Sequence, residues 1–297
     1  MSNSKLVTRR DFLKGASCAA MGLAVGVNPI LGEDLTAEKL TKVILIRHQD
    51  AVVDGEVNGA ALKSMMDQAL MELTGTEHPI DAWQKYFTED DIVGIKSNEW
   101  GPLPTPLALE QVIRQGCILA GVHPENIDID DRGVLKSEIF QKSTALVNAR
   151  PMRTHHWSGV GSLLKNYIMF VERPWDYHDN SCADLAKLWE LPITKGKTRL
   201  NVLVMLTPLF HGIGAHHFDK EFTWGYHGLI VGTDPVACDA VGLSIIKARR
   251  LEYFGEDRPM KPSPHHIAFA DTKHGLGTAD LNKIDLVKLG WEEGILI

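Results

Sequence analysis

The sequence predicts an α/β fold: a largely parallel sheet flanked by helices, with a second half less regular than the first. Three observations carry that prediction. Short unbroken apolar runs, the mark of strands buried on both faces, alternate with segments of helical period. Glycine and proline fall at the joints between them. With 297 residues, 44% hydrophobic and 23% charged, the chain has material for one large core.

Taken in order, 42–48 (KVILIRH) reads as a buried strand, and apolar positions at helical spacing follow over 58–73, closed by Gly75. The second strand, 91–96 (DIVGIK), runs into SNEWGPLPTP, where three prolines and a glycine within six residues force a loop. Thr105 is placed to cap the next helix, with Pro106 at its first position, an apolar face over 107–120 and Gly121 as its stop. A third strand, 126–130 (NIDID), completes a strand, helix, strand, helix, strand run, the pattern of a parallel sheet covered by helices. Ligands of such sheets sit beyond the carboxyl ends of the strands, where Lys96, Asn98, Asp131 and Arg132 fall.

The second half offers a short strand at 145–148, a helix or strand over 163–171, and a polar, aromatic stretch at 173–180 (RPWDYHDN) suited to a surface or pocket wall. A strong strand at 199–206 leads into the loop TPLFHGIGAHHFDKEFTWGYHG, another strand lies at 228–231, and Thr233, Asp234 and Pro235 cap a helix over 236–249. The expected organisation is a signal peptide over 1–32, a linker over 33–41, and one α/β domain over 42–297 with candidate lobes 42–147 and 148–297.

TRRDFLK at 8–14 resembles the bacterial twin-arginine export signal, and the apolar run 15–27 is shorter than the ~20 residues a bilayer span needs. A periplasmic location follows as the expectation, with the twin-arginine translocase as partner during export and membrane contact only through an uncleaved signal. That route carries folded proteins, so a bound cofactor such as a divalent metal is in keeping with it. The net charge of -7 argues against nucleic acid, which is held by clustered lysine and arginine. Beyond Cys18 in the signal, Cys117, Cys182 and Cys238 are far apart and form no C-x-x-C, so no cysteine-ligated iron–sulfur cluster is expected.

The chemistry concentrates in PMRTHHWSGVGSLLKN, 151–166. A glycine-rich turn entering a helix exposes backbone N–H groups at a positive helix end, which favours a carboxylate or phosphate. Arg153 and Lys165 add charge there, His155 can move a proton, and a desolvated Lys165 can act as base or form an imine. His211, His216 and His217, in a glycine-bearing loop, supply nitrogen donors suited to a metal such as zinc or nickel, against the bland reading of a structural or surface role.

IKSN at 95–98, the Pro104-Thr105-Pro106 helix entry, 151–166, GTDPVACDAVG at 232–242 and HHIAFADTKHGLGTADLNKI at 265–284 together resemble the family known as domain of unknown function three-six-two, in order and over 43–290. That family's name implies no activity, and the iron–sulfur cysteines of some members are absent here. A more distant similarity is to lactate-racemase-type enzymes, whose segment P-H-x-x-x-G-x-S-G-G-x-K serves catalysis and a tethered nickel cofactor: His155, Gly159 and Lys165 recur at its spacing. Its S-G-G centre is replaced by Gly161, Ser162 and Leu163, and its acidic and arginine pair by Lys96 and Asn98.

Two functional readings follow. In the first, the chain is an exported enzyme acting on a small carboxylate-bearing ligand, with His155 as acid/base, Lys165 as base or anchor, Lys96 and Arg153 as anion clamp, and Asp131 and Asn98 orienting them. Thr154, Gly159 and Asn166 complete its ligand contacts. In the alternative, it is a non-catalytic periplasmic factor that binds a metal or cofactor and serves assembly of a redox complex.

Overall fold

The computed structural model describes residues 40–212 and 218–297, so the signal peptide, nearly all of the linker, His216 and His217 lie outside the described residues. In chain order the elements are β1 (Thr41–Arg47), the hairpin of β2 (Val52–Val53) and β3 (Glu56–Val57), α1 (Gly59–Thr74), α2 (Pro79–Gln84), β4 (Val93–Lys96), α3 (Leu107–Leu119) and β5 (Ile127–Asp130). There follow α4 (Glu138–Lys142), β6 (Ala145–His155), β7 (Gly159–Gly161), α5 (Leu163–Asn166), α6 (Asp179–Cys182), β8 (Thr198–Leu209), β9 (Gly228–Gly232), α7 (Pro235–Phe254), α8 (His266–Thr272) and β10 (Ile284–Gly290).

The main sheet runs β10-β1-β9-β8-β6-β4-β5, with β7 folded back on β6. Its pairs are parallel except at β9, which is antiparallel to both β1 and β8, and at the β6/β7 hairpin. The predicted α/β fold is what forms. Strands alternate their side chains between two cores: Ile44, Ile46, Val93 and Ile95 pack under α1 and α3, whereas Val43, Leu45, Leu203 and Ile230 pack under α7. The 147/148 lobe boundary falls inside β6, which pairs with β4 on one side and β8 on the other.

Local chemistry explains most element ends. The Asn58 side chain accepts from the Ala60 and Ala61 amides to start α1, Gly75 closes it in the left-handed region at φ 69°, and Asp234 caps α7 ahead of Pro235. Thr105 is a correction: it does not cap α3, whose start at Pro106 carries no side-chain bond. Its hydroxyl instead accepts from the Asn98 amide at 3.1 Å and donates to the Ala149 carbonyl at 3.1 Å, fastening the proline loop to β6. The strand expected at 145–148 extends to His155, passing Pro151, after which its register against β8 shifts. The segment 163–171 resolves into α5 and a 3₁₀ turn, and β2, β3, α2, α4, β7, α6, α8 and β10 are additions to the predicted elements.

Candidate functional site

A buried polar spine crosses the carboxyl ends of β4 and β5. Lys96 is fully buried; its ammonium donates to the Ser97 carbonyl (2.6 Å), to Asp131 Oδ1 (2.5 Å) and to Asn166 Oδ1 (3.4 Å). All three of its protons are thereby engaged. Asp131 also accepts the Glu99 amide at 2.9 Å, and the Asn166 amide donates to the Lys96 carbonyl and to Asn148 Oδ1. Burial pushes the Lys96 amine down to about 8, with Asp131 opposing, while the Asp131 carboxyl is held low by Lys96 and the Glu99 amide against its own burial. Lys96 and Asp131, predicted as catalytic, are therefore joined as an internal ion pair that also fixes Asn166.

The next layer holds the cations. β6 brings Arg150 and Arg153 into the interior, and α5 brings Lys165; all are buried. Arg150 Nε and Arg153 Nε have no hydrogen-bond partner among the described residues, and Lys165 Nζ has no nitrogen or oxygen partner there, meeting only the Cys182 thiol. Arg153 is fixed on its other edge, donating to Asn98 Oδ1 at 3.2 Å and lying 4.2 Å over the Trp100 ring. Burial lowers Arg150 to about 10 and Arg153 well below its ordinary value. Lys165 falls to about 8, first by burial and then through Arg150 and Arg153, against an attraction to Cys182. Lys96, Arg150, Arg153 and Lys165 face only Asp131 and Asp239 as wholly buried carboxylates in this region, an excess of two cations.

Asp239, on the first turns of α7, anchors the helix that carries Lys165. Its carboxylate accepts from Ser162 Oγ (2.6 Å) and from the Leu163 and Leu164 amides (2.9 and 3.0 Å), which are the free N–H groups at the start of α5. Burial nonetheless pushes it up to about 7, with Ser162 and the two amides pulling the other way. The expected anion site at this helix start is thus filled by the protein's own carboxylate.

His155 ends β6 with Nδ1 accepting the Trp157 amide at 3.2 Å, which assigns the ring proton to Nε2. Burial first, then Lys165, Arg150 and Arg153, lower its pKa far below neutral. This environment favours the neutral imidazole, with Nε2 as its donor. Gly161 makes room for this pairing: a methyl there would lie 2.9 Å from Arg150 Nη2 and 3.3 Å from His155 Cδ2. Gly159, at φ 75°, is required by packing, since a methyl would meet the Pro262 carbonyl at 2.5 Å. The roof is Trp157, 45% exposed, stacked 3.9 Å from His178 and 5.9 Å from the Lys165 ammonium.

A cleft of about 370 Å³ opens beside this layer, lined by Thr154, His155, Gly159, His211, Arg250 and Met260 among others. The Thr154 hydroxyl donates to the His211 carbonyl at 3.1 Å, and His211 Nδ1 lies 3.1 Å from the Arg250 guanidinium, which can only donate to it. No cluster of three or more histidine, cysteine or acidic side chains suited to a metal is present among the described residues. Cys117, Cys182 and Cys238 are all free and buried.

The structure thus brings Lys96, Asn98, Asp131, Arg153, His155, Lys165 and Asn166 together, with Thr154 and Gly159 on the cleft side. Sequence reasoning passed over Arg150 and gave Ser162 no role of its own. Arg150 had one signal, an alternation of Asn148 and Arg150 within the otherwise apolar 145–152. No family model, curated protein or solved structure matches the chain.

Proposed function

We propose that the chain is an enzyme that binds a small carboxylate-bearing molecule and acts on its carbonyl through Lys165. The observation that carries this is the set of buried donors without a nitrogen or oxygen partner, Arg150 Nε, Arg153 Nε and Lys165 Nζ, in a region with more cations than carboxylates. An unpaired buried donor is costly, and a bound anion would give such donors an acceptor. Arg150 and Arg153 hold the carboxylate. Lys165, desolvated and crowded by cations, is neutral for part of the time near neutral pH and attacks the carbonyl carbon; the nitrogen–carbon bond forms, water leaves, and an imine results. His155 Nε2 donates to the carbonyl oxygen, and Asp239 holds α5 in place. Lys96 and Asp131 keep Asn166 and the β5 loop in register.

Export and the likeness to domain of unknown function three-six-two belong to the same proposal and rest on 8–14 and on the five sequence blocks. The test is calorimetric titration with pyruvate, glyoxylate and acetate, followed by borohydride reduction and peptide mass analysis. Binding of the carboxylates, with the keto acids trapped on Lys165 and none trapped in Lys165→Ala, is the expected result; a protein that binds no carboxylate, and in which Lys165→Ala and Lys96→Ala alter only stability, ends the proposal.

A further inference from the structure

The cleft of about 370 Å³ outside the buried cations is itself cationic. Arg250 and Lys261 line it, and among the described residues no aspartate or glutamate does. Arg250 is 7% exposed, and its hydrogen-bond partners are all neutral: the Phe210 carbonyl (3.1 Å) and His211 Nδ1 (3.1 Å) for Nη1, and the Arg258 carbonyl (3.0 Å) for Nη2. Three of its five N–H groups are engaged by these bonds, so two are left without a protein acceptor among the described residues. Asp257, the acidic residue that attracts Arg250, lines the neighbouring cleft instead. Because Arg250 can only donate, His211 Nδ1 is an acceptor and the ring proton sits on Nε2, a third donor on the cleft wall. The Phe222 and Phe254 rings hold that imidazole edge-on, with centroids at 4.7 and 5.0 Å. His155 joins the two compartments: it lines the cleft, and its ring crowds the same side of Gly161 as the Arg150 guanidinium. Pro259 and Met260 give the cleft an apolar wall, suited to a short hydrocarbon spacer.

We propose that the substrate is a 2-oxo acid with a second oxyanion at its far end, held in this cleft by Arg250, Lys261 and the Nε2 donor of His211. The inference rests on the reading of Lys165 and the inner arginines above and names the substrate class for that site. The 2-oxo acid end lies against Arg150, Arg153 and Lys165, the spacer passes His155 along Met260, and the second oxyanion supplies the acceptor that the cleft's donors lack. A substrate with a single carboxylate leaves the Arg250 charge facing water and an apolar wall. Hydrogen bonds from a guanidinium to an ionised oxygen are among the strongest available, and one such contact is worth ~10–100-fold in affinity.

Calorimetric titration of the full chain with matched pairs of ligands tests this. 2-Oxoglutarate is set against 2-oxopentanoate, 2-oxoadipate against 2-oxohexanoate, and 3-phosphonopyruvate against 2-oxobutyrate, so that each pair differs by an oxyanion in place of a methyl group. At least one doubly anionic acid is expected to bind ~10-fold or more tightly than its partner, and the dicarboxylate and phosphonate arms identify which oxyanion the cleft takes. In Arg250→Gln, and in Lys261→Gln at an exposed position, the ratio of the two affinities falls towards one; general loosening of the site lowers both affinities and leaves the ratio unchanged. Pairs that bind equally well overturn the second oxyanion and leave the 2-oxo acid reading standing. A ratio that stays at the wild-type value in every variant that folds overturns it too, with Lys261→Gln alone deciding if Arg250→Gln does not fold. Failure of every 2-oxo acid to bind, pyruvate included, ends the earlier reading and this inference with it.

Discussion

Replacing Lys165 by Met should stabilise the free protein, and the size of the gain follows from the burial of its amine. Lys165 is only 2% exposed, its ammonium has no oxygen partner, and its pKa falls from 10.5 to about 8. A shift of that size corresponds to on the order of 3 kcal/mol against the charged form. The sign follows from proton uptake. Between pH 8 and 10.5 the unfolded chain keeps a proton that folded Lys165 has released, so stability rises with pH across this window, and below it the cost is at full size. Met fills nearly the same volume without a charge, so Lys165→Met should be more stable at pH 7 by ~1–3 kcal/mol. Urea unfolding from pH 7 to 10 measures this, and the gap between the two proteins should narrow as pH rises. Lys96, depressed to the same range, is present in both and cancels in the difference. A saturating carboxylate adds about 2.7 kcal/mol to the wild type at a hundredfold excess over Kd, and less to the variant. A variant less stable than wild type at pH 7, or a gap indifferent to pH, would show that Lys165 has a satisfied structural role and refute the reasoning.

Asp131→Asn strips the fully buried Lys96 ammonium of its counter-charge and should cost ~3–5 kcal/mol in chemical unfolding, a loss that pairing it with Lys96→Met recovers in part. Asp239→Asn probes a carboxyl whose folded pKa is raised from 3.8 to about 7: its contribution is complete below pH 3.8 and lost as pH rises through 7, so the wild type should lose stability relative to the variant across that window in pH-dependent urea melts. Gly161→Ala places a methyl 2.9 Å from Arg150 Nη2, and calorimetry should show carboxylate affinity down by ~10-fold or more while the melting temperature moves little, since a flexible side-chain end can give way.

The short apolar runs located β1, β4 and β8, because a strand buried on both faces has few compositions open to it. Asn58, Gly75, Asp234 and Pro235 marked helix ends for equally local reasons. The prominence of His155 and Lys165 was likewise legible, since glycine, histidine and lysine are packed closely in the chain itself. Strand order was not. Nothing near Thr41–Arg47 announces that it lies between β9 and β10, from the far end of the chain. The roles within the site were hidden for the same reason. Lys96 is engaged by Asp131 and Asn166, 35 and 70 residues away, and Asp239 reaches Ser162 across 77. Residue type and spacing nominated the groups able to do chemistry; which cations are neutralised and which are left without a partner depends on distances that exist only once the sheet has closed.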